Sequence, residues 1–169
     1  TRMSFEVGLF RMGGQAIYRD HKDTPLGARE TLADYGRNLE RWCHAIVARV
    51  NRHATITGLA AHTRVPVVNA LSDMHHPCQA LADLQTLQER GFDLNHSRLA
   101  WVGDGNNVCH SLIEAASILG FGITVVTPKG FEPDAGIVSQ CVMGSPPPCW
   151  IPQNLSTSTS QRGRSPWEI

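Results

Sequence analysis

The feature that most constrains this chain is a strict alternation of two kinds of segment. "HAIVARV", "VPVVNAL", "RLAWVGDG" and "GITVVTP" are short, rich in β-branched residues and nearly continuously apolar, and they read as strands. "MSFEVGLFRMGG", "TLADYGRNLERW", "TITGLAAHT", "HPCQALADLQTLQERG" and "NNVCHSLIEAASILG" carry apolar residues at helical spacing. The first is stopped by a glycine pair and the last by Gly120. A further short strand is expected at "QAIYRD". Apolar strands that alternate with helices point to parallel sheets flanked by helices, an α/β fold, in which the helices cover both faces. Ligands collect at the carboxyl ends of the strands in such sheets.

The stretch "GFDLNHS", residues 91–97, separates the long helix from a strand that restarts the pattern. Two α/β units are therefore expected, 1–92 and 93–141, both incomplete, with the long helix as their bridge. From 142 to 169 the character changes, with three consecutive prolines, a Ser/Thr run and no apolar period. Such a composition buries too little surface to offset chain entropy, so this tail is expected to be disordered.

The formal net charge is +0 and no run of about 18 apolar residues exists, which gives no footprint for nucleic acid and none for a membrane. Small molecules or other subunits are the expected partners. Five cysteines, an odd number without C-x-x-C spacing, argue for free thiols in a reducing, cytoplasmic setting and against a zinc site. No charged-then-apolar leader follows Thr1, so no signal or transit peptide is expected in this stretch.

In "HHPCQALADLQTLQ", His76 and Gln79 lie three residues apart, so one helix face presents both, and Pro77 suits the first helical position. The open N–H groups and positive dipole end of that helix suit an anion or a polarised carbonyl. His76 as a simple capping residue and Gln79 as a solvated one is the alternative. Asn106 and Asn107 stand at a strand-to-helix turn, where they can cap the helix or hold a ligand. The remaining histidines, His21, His44, His53, His62, His75, His96 and His110, show no ligand spacing. Cys78 and Cys109 read as buried fillers, and Asp83 and Glu114 as paired or solvent-facing carboxylates. "WVGDGNN" partly mimics a dinucleotide-binding turn but lacks its third glycine, and no acidic residue ends the next strand.

"TRMSFEVG", "ARV", "HPCQALAD", "WVGDGNNVCHS" and "TPKGFEPDA" occur in this order, and together they resemble the transcarbamylase family over about residues 1–141. "HPxQ" is shared with the aspartate carbamoyltransferases, whereas "GDGNN" and "TPKGFEPD" are similar to the ornithine branch. The resemblance implies transfer of a carbamoyl group from carbamoyl phosphate to ornithine, with no metal or organic cofactor, in a homotrimer whose neighbouring subunit completes the site. It implies that Thr1, with Arg2 beside it, and Arg49 hold phosphate, and that Arg49 and His76 donate to the carbonyl oxygen. Gln79 would then engage the carbamoyl amide, and Asn107 the amino acid. Of the family's S-T-R-T-R phosphate motif only the last two letters are present, and the D-x-W-x-S-M-G and H-C-L-P segments are missing. Pro25 stands where many members carry a polar residue. The chain therefore reads as a fragment, with a tail that a frame shift after "GIVSQC" would explain. Aspartate carbamoylation, a dinucleotide-binding domain and a non-catalytic interaction module are the competing readings.

Overall fold

The computed structural model describes residues 1–21, 23 and 26–143. Pro25, the tail from 144 and Cys149 within it lie outside the described residues. In chain order the elements are α1 (Arg2–Arg11), α2 (Leu32–Leu39), β1 (Ile46–Arg49), α3 (His53–Ala60), β2 (Val67–Leu71) and α4 (Pro77–Glu89). A 3-10 turn (Leu94–His96) leads into β3 (Arg98–Val102), α5 (Asn107–Leu119), β4 (Gly122–Val126) and α6 (Ala135–Met143).

β1 pairs with β2 and β3 with β4, both in parallel, with α3 and α5 as the crossovers. The second pair runs in step from Arg98↔Gly122 to Val102↔Val126. The first runs in step as far as Ala48↔Asn69 and then slips, so that Arg49 faces Leu71.

Local chemistry sets the helix ends. Thr31 caps α2 by accepting the Asp34 N–H at 3.1 Å, and Gly120 ends α5 in the left-handed region at φ 78°. α4 begins at Pro77, whose missing N–H costs nothing in the first turn.

The larger core joins Cys109, Leu112, Ile113 and Ala116 of α5 to Phe121, Ile123 and Val125 around β4 and Ile137 of α6. Ala80 and Leu84 of α4 enter the same cluster, although α4 follows β2 and packs on it. The long helix thus belongs to both halves, the bridging role expected of it. A smaller cluster of Tyr35, Ile46 and Leu59 closes the first half.

Three features differ from the sequence reading. "QAIYRD" forms no strand; Ile17 is 84% exposed, and an isolated extended segment has no ladder to join. β1 and β3 alternate between more buried and exposed residues instead of being buried on both faces, because their core contacts come from one side. α6 was not anticipated, since its apolar residues lie against the point where composition turns to prolines. Among the described residues no helix is long and apolar enough to cross a membrane.

The loops leaving β3 and β4 are locked together. Gly105 donates its N–H to Phe131 O at 2.7 Å, and a Cβ at Gly105 would overlap the backbone of Glu132 and Pro133. Gly105→Ala is therefore expected to destabilise by about 1–3 kcal/mol, since backbone must move to admit the methyl. Urea denaturation checks this, and a loss near zero would show that the two loops separate freely.

Candidate active site

Arg49 ends β1 at the carboxyl edge of the first sheet. Its Nη1 donates to Thr1 Oγ1 at 2.9 Å, joining residues 48 positions apart. Thr1 occupies the N-cap position of α1 yet makes no side-chain cap bond. Its hydroxyl is turned to Arg49, so among the described residues no side chain caps the first N–H groups of α1 beside this guanidinium, an arrangement suited to an anion. Arg2 is occupied elsewhere. It pairs with Glu6 at 2.9 Å and lies 4.0 Å from the centre of the Tyr18 ring.

His76 stands at the N-cap of α4, but its side chain makes no cap bond, which removes the capping explanation for it. Its Nδ1 is buried with no hydrogen-bond partner among the described residues. Neither a proton nor a lone pair at Nδ1 finds a partner there, so Nε2 is the ring nitrogen left to meet a ligand. Burial holds the imidazole below its ordinary pKa of 6.5, and the Arg49 charge pushes the same way against an opposing pull from Asp83. Arg49 and His76 therefore share one electrostatic neighbourhood.

Gln79 is exposed on the first turn of α4, and its Nε2 donates to Asp83 Oδ1 at 2.9 Å. Asp83 thus pairs, as expected, and orients the amide so that Gln79 Oε1 remains as an acceptor. Asn106 is the cap of α5, accepting from Val108 and Cys109 at 3.0 and 3.2 Å. Asn107 donates from Nδ2 to Ser72 O at 2.7 Å. Its side chain therefore reaches the loop that carries His76.

That loop, residues 72–76, is held by one face of α5. Asn107, His110 and Ser111 stand at i, i+3 and i+4, and they bond Ser72 O, Met74 O and the His76 N–H. Ser72 is fully buried and exchanges bonds with His75, its N–H donating to His75 O at 2.8 Å. Sequence reasoning set His110 aside for want of ligand spacing and passed over Ser72 and Ser111. The helical spacing of Asn107, His110 and Ser111 was the available signal. Glu114, one turn further, lies 3.1 Å from His75 Nδ1 without hydrogen-bond alignment. The His75 ring also rests 4.7 Å from that of His53. Cys109 is fully buried as expected, whereas Cys78 is half-buried with Sγ 3.4 Å from Asn69 O. Among the described residues no group of three or more His, Cys, Asp or Glu is placed to hold a metal ion.

The lowered His76 pKa carries a stability consequence. A histidine whose folded value lies below its unfolded one binds fewer protons when folded, so its contribution is full above about pH 6.5 and is lost as pH falls through the folded value. His53, lowered by burial and by His75, acts in the same direction. Unfolding free energy is expected to decline below pH 6.5, with a shallower decline in His76→Asn, when urea midpoints are followed from pH 7.5 to 5.

Two family models match this chain. Residues 1–89 match the carbamoyl-P binding domain of aspartate/ornithine carbamoyltransferase, and residues 95–144 match its Asp/Orn binding domain. The chain is 49% identical over 142 residues to the ornithine carbamoyltransferase of Vibrio sp. (strain 2693), covering 84% of this chain and 47% of that one. It is 51% identical over 140 residues to that of Thermus thermophilus, covering 83% and 46%. The crystal structure of ornithine carbamoyltransferase from Thermus thermophilus superposes with a TM-score of 0.77 over 83% of this chain and 49% of that chain, at 51% identity. The structure from Burkholderia thailandensis gives 0.82 over 89% and 51%, at 36% identity. This chain thus spans about half the length of the relatives it matches. With both family models matched in order along it, the chain belongs to the aspartate/ornithine carbamoyltransferase family.

Proposed function

We propose that the full-length protein carrying this chain transfers the carbamoyl group of carbamoyl phosphate to the side-chain amine of ornithine, giving citrulline and phosphate. The observation that carries this reading is the convergence of Arg49 on Thr1 at the open start of α1, with His76 in the same field. Thr1, Arg49 and the α1 N–H groups bind the phosphate. As the amine attacks the planar carbonyl carbon, charge gathers on the carbonyl oxygen, where Arg49 and the His76 Nε2–H donate. The bond to phosphate then breaks, the departing phosphate takes up the proton that the amine nitrogen gives up, and the anion is held in the cationic cradle. Gln79 Oε1 accepts from the carbamoyl NH₂, and Asn107 holds an α-group of the amino acid.

In this reading residues 1–92 serve carbamoyl phosphate and 93–141 begin the amino-acid unit. The protein works in the cytoplasm as a homotrimer and contributes to arginine biosynthesis. The relatives bear the ornithine name, which favours ornithine over aspartate as acceptor. The dinucleotide reading is disfavoured at Gly105, where the close backbone approach is taken up by Glu132 and Pro133.

Colorimetric citrulline assays on the full-length protein, run in parallel with ornithine and with aspartate as acceptor, test the proposal. Ornithine-dependent citrulline is expected; carbamoyl-aspartate instead, or neither product, would overturn it. Gln79→Ala should raise the carbamoyl phosphate KM more than it lowers kcat, because the carbamoyl NH₂ is present in ground and transition states alike. A kcat loss with unchanged KM would remove Gln79 from that role.

A further inference from the structure

His110 of α5 is only 5% exposed and makes two hydrogen bonds of opposite sense. The backbone N–H of Asp134 donates to its Nε2 at 2.9 Å, so that nitrogen is bare. Its Nδ1 lies 2.9 Å from the Met74 carbonyl oxygen, which can only accept, so Nδ1 carries the proton. Tautomer and ring orientation are both fixed.

The two ends of the ring grip different parts of the site. Met74 is the middle of the loop whose last residue is His76, and the bonds from Asn107 and Ser111 brace only the ends of that loop. Asp134 starts α6, capping it through Oδ1 with Gly136 and Ile137 at 2.9 and 3.1 Å. The segment before Asp134 is in turn locked to the β3 loop through Phe131 and Gly105. A single imidazole therefore refers the His76 loop to the carboxyl ends of β3 and β4.

We propose that His110 is a positioning residue for the carbamoyl transfer, its Nδ1–H bond to Met74 O setting the aim of His76 from within the second unit. This rests on the reaction proposed above. Misplacing a donor by about 1 Å costs on the order of 10²-fold in rate, and loss of a supporting partner about 10- to 100-fold.

Two variants separate positioning from packing. In His110→Asn the amide nitrogen sits near the place of Nδ1 and can still bond Met74, but it cannot reach Asp134. In His110→Gln the amide oxygen sits near the place of Nε2 and can accept from Asp134, while Met74 is released. Each variant forfeits one buried bond, so a purely structural role predicts equal losses in melting temperature and in rate. Positioning predicts that in the full-length protein His110→Asn keeps kcat within about 3-fold of wild type, whereas His110→Gln loses about 10-fold or more. The His76 ring, followed by NMR titration, should relax toward the ordinary histidine value in His110→Gln and stay depressed in His110→Asn. Equal kinetic losses in the two variants, or the larger loss in His110→Asn, would overturn the proposal. If the wild-type protein forms no citrulline, the reaction falls and the His76 titration alone decides: a value unmoved in His110→Gln refutes positioning, and a relaxed one upholds it.

Discussion

His76→Ala in the full-length protein is expected to lower turnover about 10²- to 10³-fold, the usual consequence of removing one donor aimed at a developing oxyanion. Stability should hardly change, for reasons visible in the bonding. The side chain makes no cap bond, and the backbone N–H of residue 76 keeps its bond to Ser111 Oγ at 2.8 Å whatever the side chain. Truncation also deletes a buried nitrogen that has no partner among the described residues, which offsets part of the lost packing. His76→Asn should recover some turnover where its amide reaches the oxygen. Steady-state kinetics and thermal melts on the same samples decide the matter. A variant that melts early but turns over normally once folded would make His76 a structural residue after all.

Arg49→Ala is expected to be at least as damaging. In the proposed reaction its guanidinium would donate charge-assisted bonds to both phosphate and carbonyl oxygen, each worth about 1.5–3 kcal/mol, so losing two would correspond to roughly 10²- to 10⁴-fold in kcat/KM. Arg49→Lys separates charge from shape. A single ammonium keeps the attraction for phosphate but cannot serve two oxygens and Thr1 through a planar fork, so it should recover only a minor part of the loss. Arg49 is exposed, and its removal should leave the melting temperature nearly unchanged. Initial rates across carbamoyl phosphate concentrations check both variants; an Arg49→Lys enzyme within twofold of wild type would mean that the fork geometry is idle.

Much of the architecture could be read from the chain because its signals are local. β-branched runs gave β1, β2 and β4, helical spacing gave α1 to α5, and Gly120 gave a helix end, each from a few neighbouring residues. The misses have non-local causes. "QAIYRD" has strand composition, but a strand exists only with a partner, and nothing local reveals whether one is present. The exposure of alternate residues in β3 depends on what covers the sheet, not on the sequence of β3.

The candidate residues show the same division. His76 stood out by its position at a helix start, whereas Arg49, at a strand end, was singled out only by the family resemblance. That Arg49 meets Thr1, and that His110 joins Met74 to Asp134, depends on chain separations that no spacing rule spans. Asn107 lies between the two cases. Its place at the turn was legible, whereas its bond to Ser72 across the units was not.

The slip between β1 and β2 sets a constraint of number rather than kind. Ala48 faces Asn69 and Arg49 faces Leu71, so Ala70 is an extra count on β2. Side chains alternate with a period of two, and one added residue reverses the phase of everything after it. Ser72, the first residue beyond β2, is turned fully inward at that point, and the His76 loop departs from there. Deleting Ala70 would preserve every donor and acceptor named above, yet it would restore in-step pairing and swing Ser72 to the opposite side. At this strand, evolution and engineering alike can exchange one small side chain for another, but altering the tally turns the His76 loop to the other side of the sheet.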